Sequence, residues 1–145
     1  MTAPGATSAD EEAIRNLAAA LVDALNRGDT RAFAAHFYED ADFTNVIGMQ
    51  VRGRDAIQAM HDALFTDPPT PDWPSFRHAL ATVHSVRARF IRPDVAVVDI
   101  RWSQKGAVGP DGGPWTNRKG LMNWVAAKEN GRWLVAASHN MDLPG

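Results

Sequence analysis

The sequence predicts an α+β fold: helices in the first half, then a curved antiparallel sheet that wraps around them. Three observations predict it. Residues 8–65 carry helical apolar periodicity interrupted by short strand-like stretches. Residues 76–140 read as long alternating strands separated by turn residues rich in Gly, Pro and Asp. Strands that long cannot stay flat, so a sheet built from them curls and encloses a cavity against the helices.

"SADEEAIRNLAAALVDALNRGD" is the first helix. Ser8 and Glu11 have capping-box spacing, Ile14, Leu17, Leu21 and Leu25 form one apolar stripe, and Gly28 suits the left-handed position that ends a helix. Asp29 then caps a shorter helix, "TRAFAAHF", with Phe33 and Phe37 on one face. "ADFTNVIG" is the first strand and "MQVRG" a short return strand. "GRDAIQAMHDALFT" is a third helix with Ile57, Met60 or His61, and Leu64 inward. "TDPPTPDWPS" holds four of the nine prolines and reads as an extended, stiff loop. "FRHALATVHSVRARFI", "VAVVDIRWSQ", "WTNRKGLMNWVAAK" and "WLVAASHNM" complete an antiparallel meander, with "KGAVGPDGGP" as a hairpin loop.

Composition bounds the function classes. A chain of 145 residues with 45% hydrophobic content makes one domain, placed at 9–143 after a disordered lead at 1–8. The net charge of −2 comes from interspersed charges with no basic stripe, so no nucleic-acid partner is expected. The absence of cysteine excludes disulfides, thiolate catalysis and Cys-based zinc sites. No apolar run is long enough to span a bilayer and "MTAPGATS" has no signal-peptide features, so no membrane partner and a cytoplasmic location are expected. There is no dinucleotide fingerprint and no His/Asp/Glu cluster with ligand spacing. No cofactor and no metal are therefore expected.

"LVDALNRGDTRAFAAHFYEDADFTN", then "VRGRDAI", then a meander ending in "NGRWLVAASHN", resembles the nuclear-transport-factor-2-like superfamily in its SnoaL-like or ketosteroid-isomerase-like branch. The resemblance covers nearly the whole chain and is nearest to the SgcJ-like proteins found with enediyne polyketide biosynthesis. It implies a cystatin-like α+β roll with a mostly apolar pocket at the wide end of the cone, in many cases dimeric. It implies no single activity, because the superfamily holds isomerases, cyclases, hydrolases and proteins without chemistry.

Residue by residue, the resemblance is partial. Where ketosteroid isomerases hold a tyrosine, an aspartate base and a protonated aspartic acid, this chain has Leu21, Asn45 and Asn123, and an amide cannot take a proton at neutral pH. That mechanism is not expected here. Limonene-epoxide hydrolases place Tyr-x-Asn before a "GRDA"-like helix start; Phe43-Thr44-Asn45 keeps only the asparagine. Their Arg-x-Asp is reversed here as Asp99-Ile100-Arg101. SnoaL-type cyclases use an aspartate as acid/base on the last strand, where this chain reads Ser138-His139-Asn140-Met141-Asp142.

These positions define the candidate site. The alignment turns Leu134, Ala136, Ser138 and Asn140 inward, so that Asn140, Asn45 and Asn123 converge as amides in an apolar cavity beside Leu21, Ser138 and Trp102. Such a set suits a small, largely apolar, oxygenated ligand; each asparagine has the alternative of pairing internally and closing the core. His61 and His139 are the candidate acids or bases, His61 from an apolar helix face and His139 from an outward parity. Asp99 and Arg101 alternate with Trp102 and are expected on the outer face. If Asn123 is inward, Trp124 is outward, and with Trp133 and Met122 it forms an apolar patch that predicts a homodimer. Trp73 and Trp115 are expected at the mouth of the cone.

Overall fold

A computed structural model describes residues 5–65, 73–115 and 118–144. Helix α1 (Ser8–Asn26) is capped one residue earlier than the sequence suggests: Thr7 Oγ1 accepts from the Asp10 backbone N–H, and the Asp10 carboxylate accepts from the Thr7 N–H. Ala6 packs against the core, so the folded domain extends into the expected lead, of which residues 1–4 lie outside the described residues. Helix α1 ends at Arg27, with Gly28 at φ +67°. Asp29 caps α2 (Thr30–Ala34) by accepting from Ala32 N–H at 3.0 Å.

Strand β1 (Phe37–Thr44) starts and stops earlier than expected, and β2 (Gln50–Arg52) returns antiparallel beside it. Helix α3 (Arg54–Asp62) runs into a 3₁₀ turn (Ala63–Phe65). Most of the proline-rich loop, 66–72, lies outside the described residues. Strands β3 (Leu80–Arg92) and β4 (Val95–Lys105) follow. A two-residue hairpin, β5 (Ala107–Val108) with β6 (Pro114–Trp115), occupies the expected loop, and β7 (Arg118–Glu129) and β8 (Arg132–Asp142) complete the chain.

The main sheet has the order β2-β1-β8-β7-β4-β3. The expected antiparallel meander holds from β3 to β8, with β7 next to β4. The sheet as a whole is mixed, because β1 pairs parallel with β8. Helices α1, α2 and α3 fill its concave side, where Ile14, Leu21, Phe33, Phe37, Ile57 and Trp124 meet in one core.

Alternation then sorts each strand. On β4, Ala96, Val98, Ile100, Trp102 and Gln104 are buried, which leaves Asp99 and Arg101 outward as expected. On β7, Arg118, Gly120, Met122, Trp124 and Ala126 are buried. This corrects the expected placement of Asn123 and Trp124. Trp124 is 0% exposed, and Asn123 stands on the outer face, where its Nδ2 donates to Asp99 at 2.7 Å. Burying the large indole in place of an amide follows the apolar-transfer balance. Trp133 and Met122 are also interior, so the patch that predicted a homodimer does not exist at the surface.

Strand β8 follows neither parity throughout. Ala126 pairs with Val135 but Val125 pairs with Ala137, so Ala136 is an inserted residue, a β-bulge. Before it, Trp133 and Val135 face inward; after it, Ser138 and Asn140 do. The expectation that Leu134 shares the inner face with Ser138 fails at this bulge.

Candidate functional site

The concave side of the sheet holds a cavity of about 130 Å³. Leu21, Val22 and Leu25 of α1 form one wall, Phe33 of α2 and Met60, His61 and Leu64 another, and Trp102 and Met122 the sheet side. Trp73, Phe76 and Trp115 also line the cavity. Ile47, 74% exposed, marks the rim.

Trp102 and Asn140 both face the cavity and are joined by a hydrogen bond. Trp102 Nε1–H donates to Asn140 Oδ1 at 2.8 Å. Asn140 is thus partly satisfied by the protein, with its Nδ2 group left as a donor.

Asn45 lies past the end of β1, in the β1–β2 turn. Its Oδ1 accepts from the N–H groups of Ile47 at 3.1 Å and Met49 at 2.9 Å, so half of the amide is used to shape the hairpin. It still lines the cavity. The three-amide arrangement is therefore corrected to two, Asn45 at the rim and Asn140 on the sheet, since Asn123 is outside. Ser138 lies beneath the lining rather than in it: it is fully buried, and its hydroxyl has no hydrogen-bond partner. The neighbouring Trp124 Nε1 also lacks one.

His61 is the histidine that lines the cavity; His139 is exposed on the outer face and is removed from the site by its parity. The His61 ring packs against Phe33 at 4.3 Å and edge-on to Phe43 at 4.9 Å between centroids. Its Nδ1 lies 2.7 Å from the Ile57 carbonyl. A carbonyl only accepts, so Nδ1 carries the proton and Nε2 keeps its lone pair. Burial lowers the imidazole pKa to about 4, with the Ile57 hydrogen bond opposing it. His61 is neutral at pH 7 and offers an acceptor, or a weak base.

The group that sequence reasoning missed is Arg118. It starts β7 at an inward parity and is buried beside Gln104, also buried. Nη1 donates to Gln104 Oε1 and Nη2 donates to Asp142 at 2.8 Å, while Nε has no partner. The guanidinium lies 3.7 Å from the centre of the Trp115 ring, 5.1 Å from Trp102 and 5.5 Å from Phe76. Burial pushes its pKa down and Asp142 pulls it back. The available signal was parity: Gln104 shares a strand face with Trp102, and Arg118 with Met122.

Among the described lining residues there is no carboxylate. Among the described residues no group of His, Cys, Asp or Glu side chains gathers as metal ligands, and no helix is long and apolar enough to cross a membrane.

Solved structures share this architecture. A cystatin-like protein from Caulobacter vibrioides is 28% identical, with 92% of this chain and 89% of that one covered and a TM-score of 0.80. A cystatin-like domain from Nostoc punctiforme is also 28% identical, covering 96% of this chain and 80% of that one at a TM-score of 0.72. A protein from Novosphingobium aromaticivorans described as a candidate scytalone dehydratase is 15% identical, with coverages of 94% and 85% and a TM-score of 0.72, and shares the fold. No curated protein matches the sequence. The model of the SnoaL-like domain matches residues 6–139, nearly all of the folded chain, and on that match the chain belongs to the SnoaL-like family.

Proposed function

We propose that this protein binds a small, largely apolar, oxygenated molecule in the concave cavity. Its class is that of a polyketide intermediate, as the enediyne-type resemblance of the sequence implies. The observation that supports this reading is the composition of the cavity: aliphatic and aromatic walls, with a few polar groups (Asn140, His61, Gln104 and Arg118) set at separate points. On this reading the protein assists a cyclisation, isomerisation or hydration by confinement and hydrogen bonding, with His61 Nε2 as acceptor or base and no cofactor.

A second reading is sequestration of a reactive intermediate without turnover. The low pKa of His61, about 4, favours it, because so weak a base takes protons poorly at pH 7. Native mass spectrometry of the protein recovered from a producing host tests the shared premise. A retained oxygenated organic molecule supports it; exchangeable apo protein across hosts and growth conditions counts against it. With that molecule in hand, His61→Phe separates the readings: loss of turnover with binding kept is catalysis, and no turnover by either protein, with at most weaker binding in the variant, is sequestration. The proposal keeps the homodimer, now on the outer sheet face where Val125 and Met141 are exposed, and sedimentation velocity tests it.

A further inference from the structure

We propose that the molecule held in the cavity carries a carboxylate and that Arg118 is the residue that recognises it; this rests on the reading that the cavity binds a small oxygenated molecule. Four observations on the same side chain carry it. The Arg118 side chain is only 4% exposed and lines the cavity. A guanidinium has five N–H donors, of which Gln104 and Asp142 accept from two, and Nε is buried without an acceptor. The paired carboxylate is not buried with the cation, since the Asp142 side chain is 42% exposed and shares its charge with water. And the stack on Trp115, with Trp102 and Phe76 close by, holds the guanidinium plane in one orientation before any ligand arrives.

A purely structural arginine is a poor account of this arrangement. Tying Gln104 to Asp142 does not need a buried cation, and an apolar side chain of similar volume is often as stable as a buried ion pair. An unsatisfied N–H on a buried charge is destabilising until an acceptor arrives. A carboxylate supplies acceptors in the planar geometry that arginine binds best. Asp142, on the Nη2 side and 42% exposed, is the carboxylate already at the guanidinium; no Asp or Glu is among the described lining residues. The aliphatic wall at Leu21, Met60 and Met122 then takes the rest of the molecule.

The test is isothermal titration calorimetry at pH 7 with matched probes: benzoate, 2-naphthoate and 2-anthroate against their carboxamides. The acids are expected to bind about tenfold tighter than the amides, the range of a charge-assisted hydrogen bond. Arg118→Met should reduce that preference to about twofold or less, and Arg118→Lys should keep part of it by charge while losing the planar fork. Should Arg118→Met fail to fold, Asp142→Asn gives an independent reading: with its partner charge removed, Arg118 should hold the acids more tightly and the amides no differently. Acids and amides binding equally to the unaltered protein overturn the proposal and leave the underlying reading intact. If no probe binds, the molecule retained from the host decides. An acid sustains the proposal, a neutral molecule overturns it alone, and a protein that is always empty overturns it together with the reading beneath it.

Discussion

Trp102 reaches Asn140 across a strand that lies between them. Trp102 is on β4 and Asn140 on β8, and the hydrogen bond at 2.8 Å passes over β7 where Gly120 leaves room. A Cβ placed on Gly120 would fall 2.1 Å from Trp102 Cζ2 and 2.6 Å from the Met141 carbonyl oxygen. Gly120→Ala should therefore displace the indole, break the bond to Asn140 and destabilise the fold by about 1–3 kcal/mol, the range of over-packing. Urea unfolding gives the stability, and tryptophan emission reports the ring's new surroundings. An unshifted spectrum with unchanged stability would show that the ring does not depend on the glycine.

Asp10 ties the start of α1 to the far end of the sheet. Its Oδ1 accepts from Lys128 Nζ at 2.9 Å and from Trp133 Nε1 at 3.1 Å. These bonds, Lys128 first, hold the carboxyl well below the usual carboxylate range. A depressed carboxyl stabilises the folded state above its unfolded pKa, and that contribution fades as pH falls below about 3.8 towards the folded value. Asp10→Asn should cost about 1–3 kcal/mol at pH 7, as for a hydrogen bond to a charged group. The gap between variant and parent should narrow on acidification below pH 4. Urea melts across that range measure it, and a gap independent of pH would exclude the ionic contribution.

His61, unlike Asp10, is uncharged in the folded state at pH 7. Burial lowers its pKa from 6.5 to about 4, so the folded state holds it neutral while the unfolded chain protonates it below pH 6.5. Its contribution to stability is complete above pH 6.5 and is lost as pH falls towards 4. In NMR titrations the His61 ring signals should stay constant from pH 7.5 to about 5 and keep the Nδ1-protonated tautomer throughout. A midpoint near 6.5 would mean that water reaches the ring freely.

Ser138 is a buried hydroxyl without a partner, next to an indole N–H in the same condition. A group of that kind opposes folding, so Ser138→Ala should leave stability unchanged or raise it by up to about 1 kcal/mol. Thermal unfolding decides. A loss of stability beyond about 1 kcal/mol would show that the hydroxyl has a partner, such as an enclosed water molecule.

The fold was legible because its signals are local. Glycine and aspartate at 28 and 29 mark the break between α1 and α2, and strict alternation places Trp102 inward and Asp99 outward. The parallel pairing of β1 with β8 was not legible, since nothing in either segment encodes a partner so distant in sequence. The cavity was half legible. Leu21, His61, Trp102 and Asn140 came from periodicity or alignment and do line it. Asn123 failed because an aligned position was preferred over the burial of Trp124 one residue later. Ser138 and Asn140 took the right face by alignment, while the bulge at Ala136 put Trp133 and Val135 there against simple alternation. Arg118 escaped notice because a charged residue at a strand start reads as solvent-exposed until its aromatic cover is seen.

The parallel contact between β1 and β8 also sets the order in which the molecule can be completed. The register joins Phe37 to Val135 and Thr44 to His139, so one edge of β1 has no strand beside it until β8 is made. The local pairs, α1 with α2 and β3 with β4, can form as the chain emerges from the ribosome, but the sheet closes only after β8 has followed them. Until β8 is made, the chain therefore presents an open sheet edge at β1. An unpaired edge of that kind is a template for pairing with a second chain.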